Sequence, residues 1–124
     1  MEKFLFIGLG GFLGSVGRYW LSTGVYKAYG ESFPYGTLAV NIIGSFIIGL
    51  LMTLFEERFI AQPELRLFLI VGILGGFTTF SSFSFETIAL IKAGNFLYAS
   101  VNILASVIVC LTATWIGTII GKLF

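Results

Sequence analysis

The chain has no histidine and no aspartate, one cysteine, two prolines, and charged residues at only 10% of its 124 positions. Each shortage removes a class of function. Without His or Asp there is little from which to build a metal centre or a nucleophile–base pair, so catalysis is not expected. Cys110 has no second thiol in the chain to pair with, and its apolar neighbours suit a small buried side chain. Seven Lys and Arg stand against six acidic residues, and no basic run marks a nucleic-acid surface. Soluble domains carry about 25% charged residues, so this composition is built for a solvent other than water.

What is present is apolar. Hydrophobic residues make up 57% of the chain and the mean hydropathy is +1.02. Uncharged stretches run over Ser32–Phe55, Leu67–Phe85 and Ala93–Gly121, each at or beyond the roughly 18 residues that mark a membrane-spanning candidate. Phe4–Gly17 is shorter and reaches spanning length if Arg18 sits near a helix end or inside the protein. The N-terminal run could imitate a signal peptide, but further apolar spans follow it rather than a soluble domain. The predicted spans are Phe4–Thr23, Tyr35–Phe55, Leu67–Lys92 and Phe96–Lys122, joined by "GVYKAYGESFP", "EERFIAQPELR" and "AGN". Pro34 and Pro63 fall in these connections, where proline punctuates well. The expected architecture is all-α: one four-helix membrane unit over residues 1–124, with no second domain.

With four spans, Lys3, Arg58, Arg66 and Lys122 flank one side, and Arg18, Lys27 and Lys92 the other. Orientation follows an excess of Lys and Arg on one side, and here the excess is nearly nil. Two readings follow: a weakly biased protein that inserts one way, or dual topology, in which copies insert both ways and pair antiparallel.

The stretch "GGFTTFSSFSF", Gly75 to Phe85, interrupts the third span with residues a simple spanning helix does not need. Glycine inside a helix costs roughly 1 kcal/mol relative to alanine, although in membranes it also lets helices approach closely. Two threonines of low helix propensity follow Gly75 and Gly76 at once, which predicts an unwound turn and freed carbonyl oxygens. Irregular backbone at that depth survives only when buried or lining a cavity, and freed carbonyls are hard ligands suited to a small cation. Beyond it, Phe77, Phe80 and Phe83 are spaced to stack on one helix face, beside Ser81 and Ser84. Such a row is ordinarily core packing. Paired with hydroxyls it also suits an anion, because a phenyl ring is positive at its edge.

Span two contributes Asn41, with Ser45 one turn later. Its amide is either an interhelical structural bond, worth about 0.6 kcal/mol, or an anion donor. In span four Asn102, Ser106, Cys110, Thr114 and Thr118 recur at i+4 spacing, a polar stripe that serves as packing glue or lines a path. Arg18 either snorkels to the interface or gives a vestibule a positive potential. Glu86 stands near the end of span three; a lone acid without His or Asp neighbours is a weak proton relay.

Three motifs, "GGFLGSVGRY" (Gly10–Tyr19), "FPYGTLAVNIIGSFIIG" (Phe33–Gly49) and "GGFTTFSSFS" (Gly75–Ser84), together resemble the Fluc (CrcB-type) fluoride channels in order, spacing and chain length. The resemblance covers essentially the whole chain. It implies an antiparallel, dual-topology homodimer with the third helix broken mid-membrane and two anion pathways along the subunit interface. Phe80 and Phe83 would offer ring edges to fluoride, Asn41 would reach into the pathway, and Ser81, Ser84 and Thr114 would line it with polar groups. Arg18 would stand near its entrance. Main-chain carbonyls of Gly75 and Thr78 from both subunits would hold a structural sodium ion. The sequence departs from the family pattern at Ser82, where a second threonine is common, and at Cys110, which interrupts the hydroxyls of span four.

The resulting expectation is a passive channel of the cell membrane, not an enzyme, that exports cytoplasmic fluoride and protects the cell from its toxicity. The partners expected are fluoride, the lipid bilayer and a second copy, with no nucleic acid. The rival is a proton-coupled exporter of the small multidrug-resistance type. That class needs a carboxylate within the first span, and Phe4–Gly17 has none.

Overall fold

A computed structural model describes residues 1–57 and 62–124; Arg58, one of the flanking charges counted above, lies outside the described residues. Among the described residues every regular element is helical, and four helical spans are long and apolar enough to cross a membrane.

Helix α1 runs over Glu2–Tyr29, well past the predicted end at Thr23. Nothing between Arg18 and Tyr29 breaks a helix, and Ser22 ties its hydroxyl to the Arg18 carbonyl at 2.7 Å. The helix stops where the chain first needs a left-handed residue, Gly30 with φ 88°. Arg18 therefore lies within α1, with about three turns beyond it, and not at the end of the span. Helix α2 covers Tyr35–Glu57 and starts directly after Pro34.

The third span is a composite. A short α3 (Pro63–Arg66), with proline in its first turn, leads into eight π-helical residues, Leu67–Leu74. A single turn, α4 (Gly75–Phe77), follows, and then Thr78 and Thr79 are extended (φ −87°, ψ 157° and φ −152°, ψ 118°) before α5 (Phe80–Lys92) begins. The sequence predicted an unwound turn within Gly75–Thr79. The turn falls at its threonine end: Gly75 is helical (φ −61°, ψ −37°), and Thr78 and Thr79, both β-branched, carry the extended backbone they favour. Thr79 then caps α5, its Oγ1 accepting the Ser82 N–H at 3.1 Å. Helix α6 spans Phe96–Leu123, capped by the Asn95 side chain on the Tyr98 N–H at 3.1 Å.

Helices that adjoin in sequence are not the tightest neighbours. Gly10 faces Gly72 and Gly14 faces Ile73 and Phe77, so α1 and the third span run parallel; a Cβ on Gly10 would sit 2.9 Å from the Gly72 Cα. Ser45 pairs with Thr114, and Thr53 lies against Gly121, so α2 and α6 run parallel too. A Cβ on Gly117 would come within 2.9 Å of the Leu50 nitrogen. This backbone proximity is how helices associate when lipid, as apolar as leucine, gives side chains no reason to leave it. The buried core is accordingly small, with Val40 at its centre, while Phe12, Trp20, Leu104 and Trp115 point outward.

Candidate functional site

The site grows from the interruption in the third span. Thr79 N–H donates to Asn41 Oδ1 at 2.8 Å, and Asn41 Nδ2 donates back to the Thr79 carbonyl at 3.1 Å. In an unbroken helix that Thr79 N–H would go to the Gly75 carbonyl. Likewise the Ser82 N–H, which would go to the Thr78 carbonyl, goes to Thr79 Oγ1. The carbonyls of Gly75 and Thr78 thus both lose their regular donors to side chains. These are hard oxygen ligands, the donor type a small alkali cation takes.

Beside the interruption lies a cleft of about 430 Å³, walled by α2, the third span and α6. Asn41, Ser45, Gly75, Thr78, Phe80, Phe83, Ser106 and Cys110 all reach its lining, and none of its lining residues is charged. Phe80 and Phe83 stand 5.3 Å apart, centroid to centroid, tilted by 45°. Phe80 is 77% exposed in the single chain. An exposed phenyl edge among hydroxyls and an amide offers an anion weak, non-ionic attraction from several sides.

Phe77 does not join the row that its spacing suggested. The extended pair at Thr78–Thr79 separates it from α5, and it packs beside Gly17 of α1 and Gly44 of α2. Ser81, exposed, shares a hydrogen bond of 3.2 Å with Thr79, and Ser84 donates to the Phe80 carbonyl at 3.0 Å. Thr114 donates to the Ser45 carbonyl at 2.9 Å, joining α6 to α2 outside the lining of the cleft. Arg18 borders a second cavity of about 240 Å³, with Tyr19, Ser22, Thr37, Val40 and Ser82. Thr79 lines both cavities. Asn41, Phe80, Phe83, Gly75 and Thr78 therefore come together, while Ser81, Ser84, Thr114 and Arg18 surround them.

Two arrangements escaped the sequence. Glu86 accepts hydrogen bonds from the Tyr26 and Thr37 hydroxyls, and Tyr26 Oη in turn accepts the Thr37 N–H at 3.4 Å. Three spans thus converge on one carboxylate, each oxygen met by its own hydroxyl. The only sequence signal was the polarity of three residues far apart along the chain. The polar stripe of α6 also proves divided. Ser106 and Cys110 face the cleft, Thr114 turns to α2, and Asn102, only 2% exposed, turns to Thr87 of α5. No group of three or more His, Cys, Asp or Glu gathers among the described residues.

Residues 5–118 match the family described as CrcB-like protein, Camphor Resistance (CrcB). A protein of Citrifermentans bemidjiense named fluoride-specific ion channel FluC is 52% identical over 122 residues, 98% of each chain. Proteins of the same name from Geotalea daltonii and Geobacter sulfurreducens are 53% identical over 94% of each chain and 50% identical over 98% of each chain. With nearly its whole length matched, the chain belongs to the CrcB-like protein family.

Proposed function

We propose that this chain is a fluoride-selective passive channel of the cell membrane, a multi-pass protein and not an enzyme. The observation that carries the proposal is the uncharged cleft in which Phe80, Phe83, Asn41 and hydroxyl groups stand together; the fluoride-channel names of its full-length relatives support it. Fluoride enters a cell as neutral HF, ionises in the less acidic cytoplasm and is trapped. A membrane potential negative inside then drives the anion out through any open selective path, without a pump. A narrow path of fixed hydrogen-bond donors favours the small, hard anion over chloride.

The working unit is two copies inserted in opposite directions, with an anion path on each side of their seam. The 77% exposure of Phe80 and the near-balanced flanking charges support that arrangement. Asn41, Phe80 and Phe83 contact the ion, Ser81, Ser84 and Thr114 extend the polar track, and Arg18 raises the potential near its mouth. The carbonyls of Gly75 and Thr78 in each copy hold a sodium ion, whose charge offsets the exposed carbonyl dipoles where the copies meet.

The test is reconstitution in liposomes loaded with potassium fluoride or potassium chloride, with efflux recorded after a potassium ionophore is added. Fast fluoride efflux with chloride retained is the expected result. Efflux that required a proton gradient, or none at all, would overturn the proposal.

A further inference from the structure

Behind Phe83 runs a buried chain of hydrogen bonds that the anion path itself does not require. Asn102 of α6, 2% exposed, donates from Nδ2 to Thr87 Oγ1 at 2.9 Å. Thr87, 6% exposed, donates from its own hydroxyl to the Phe83 carbonyl at 2.7 Å. On the other side Asn102 Oδ1 accepts from Ser106 Oγ at 3.5 Å. Both ends of the chain, Phe83 and Ser106, lie in the lining of the main cleft, whereas Asn102 and Thr87 lie outside it.

We propose that Asn102 and Thr87 are positioning residues that fix where Phe83 presents its ring to the anion. The helix α6 packs mainly along α2 and touches α5 lightly; Glu86 ties α5 to α1 and α2, while the Asn102–Thr87 bond sets α5 against α6 on the side of the cleft wall. A threonine hydroxyl bonded to the carbonyl four residues back also bends its helix slightly. Here that carbonyl belongs to Phe83 itself. The Asn102 amide holds the hydroxyl oxygen as acceptor and leaves its proton one direction to take, toward Phe83. Buried and fully partnered, the relay specifies one geometry, because any slip strands a polar group away from water.

This inference rests on the channel reading, and its test therefore includes a readout that needs no conduction. Thr87→Val keeps the volume and removes the hydroxyl; Thr87→Ser keeps the hydroxyl. Fluoride efflux from liposomes should fall about tenfold in Thr87→Val, the size expected of one lost buried hydrogen bond, and stay close to wild type in Thr87→Ser. In a Phe83→Ile background Thr87→Val should add nothing further, since residues acting through one another are not additive. Independently, 4-fluorophenylalanine placed at position 83 should give one sharp fluorine resonance in the wild type and in Thr87→Ser, and a shifted or split one in Thr87→Val. Should Thr87→Val harm folding, the pair Thr87→Val with Asn102→Leu strands no buried amide and frees only the Ser106 hydroxyl, which lines the cleft; it should fold while still showing the displaced resonance. An unchanged resonance in both, or additive flux losses with Phe83→Ile, would overturn the proposal. A silent wild type in the flux assay would count against the channel reading alone, with the fluorine spectra still deciding the role of the pair.

Discussion

Asn41 and Thr79 hold each other by two hydrogen bonds, amide to backbone in both directions, at 2.8 and 3.1 Å. The side chain of α2 stands in for the helical partner that Thr79 gives up. Replacing Asn41 with Leu should let Thr79 return to the Gly75 carbonyl or strand its N–H in a site only 8% exposed. Stranding costs about 1–3 kcal/mol. Either way, fluoride flux in liposomes should fall at least about tenfold, and the Thr79 amide should change its hydrogen-exchange rate. Wild-type flux in Asn41→Leu would remove this side chain from the site.

Phe80 and Phe83 should matter for conduction more than for folding. Phe80 is 77% exposed, so Phe80→Ile leaves little internal packing to lose. We expect Phe80→Ile and Phe83→Ile each to cut fluoride efflux by about tenfold or more, the weight of a lost aromatic contact. Size-exclusion profiles should match the wild type.

The glycines should separate into two groups. A methyl on Gly10 would crowd the Phe68 carbonyl and lie 2.9 Å from the Gly72 Cα, and one on Gly72 2.8 Å from the Gly10 Cα, while one on Gly75 meets only the Ile70 carbonyl at 3.9 Å. Gly10→Ala and Gly72→Ala should therefore destabilise by about 1–3 kcal/mol through overpacking. Gly75→Ala should cost less. Thermal melting in detergent reads the difference.

Glu86 anchors two hydroxyls from other spans. Glu86→Ala strands both donors and should lower stability by about 1–3 kcal/mol, with Glu86→Gln, which keeps one acceptor oxygen, losing less. Tyr26→Phe should resemble the Gln variant. The order of melting temperatures checks this.

Sodium should stabilise the protein by mass action if the Gly75 and Thr78 carbonyls hold it, by about 2.7 kcal/mol at a hundredfold excess over Kd. Melting temperature should rise with sodium and stay flat with N-methylglucamine at equal ionic strength. A flat response to both removes the ion from the site.

The helical spans were legible because length and apolarity alone define them, and the motif in the third span pointed to its interruption. The details that failed to show were decided by tertiary partners. The first span read as ending at Thr23, soon after Arg18, yet α1 continues to Tyr29 and stops at Gly30, the first residue that needs a positive φ. The unwound turn was read from Gly75 and Gly76 together with the threonines after them; which end unwinds was not legible, because close packing against α1 holds Gly76 while the Asn41 side chain takes up the Thr79 N–H. The stripe on α6 looked continuous by spacing. Which neighbour each polar group meets depends on where α2 and α5 lie, and periodicity carries no such information.

The parallel pairing of α2 with α6 also shapes how the molecule comes into being. Ser45 and Thr114 are 69 residues apart along the chain, so the glycine face of α2 emerges from the ribosome long before its mate exists. Until α6 is synthesised, that face lacks the helix it packs against. Final closure of the bundle thus waits for the last segment made, and a chain cut short before Thr114 leaves α2 with its main neighbour missing.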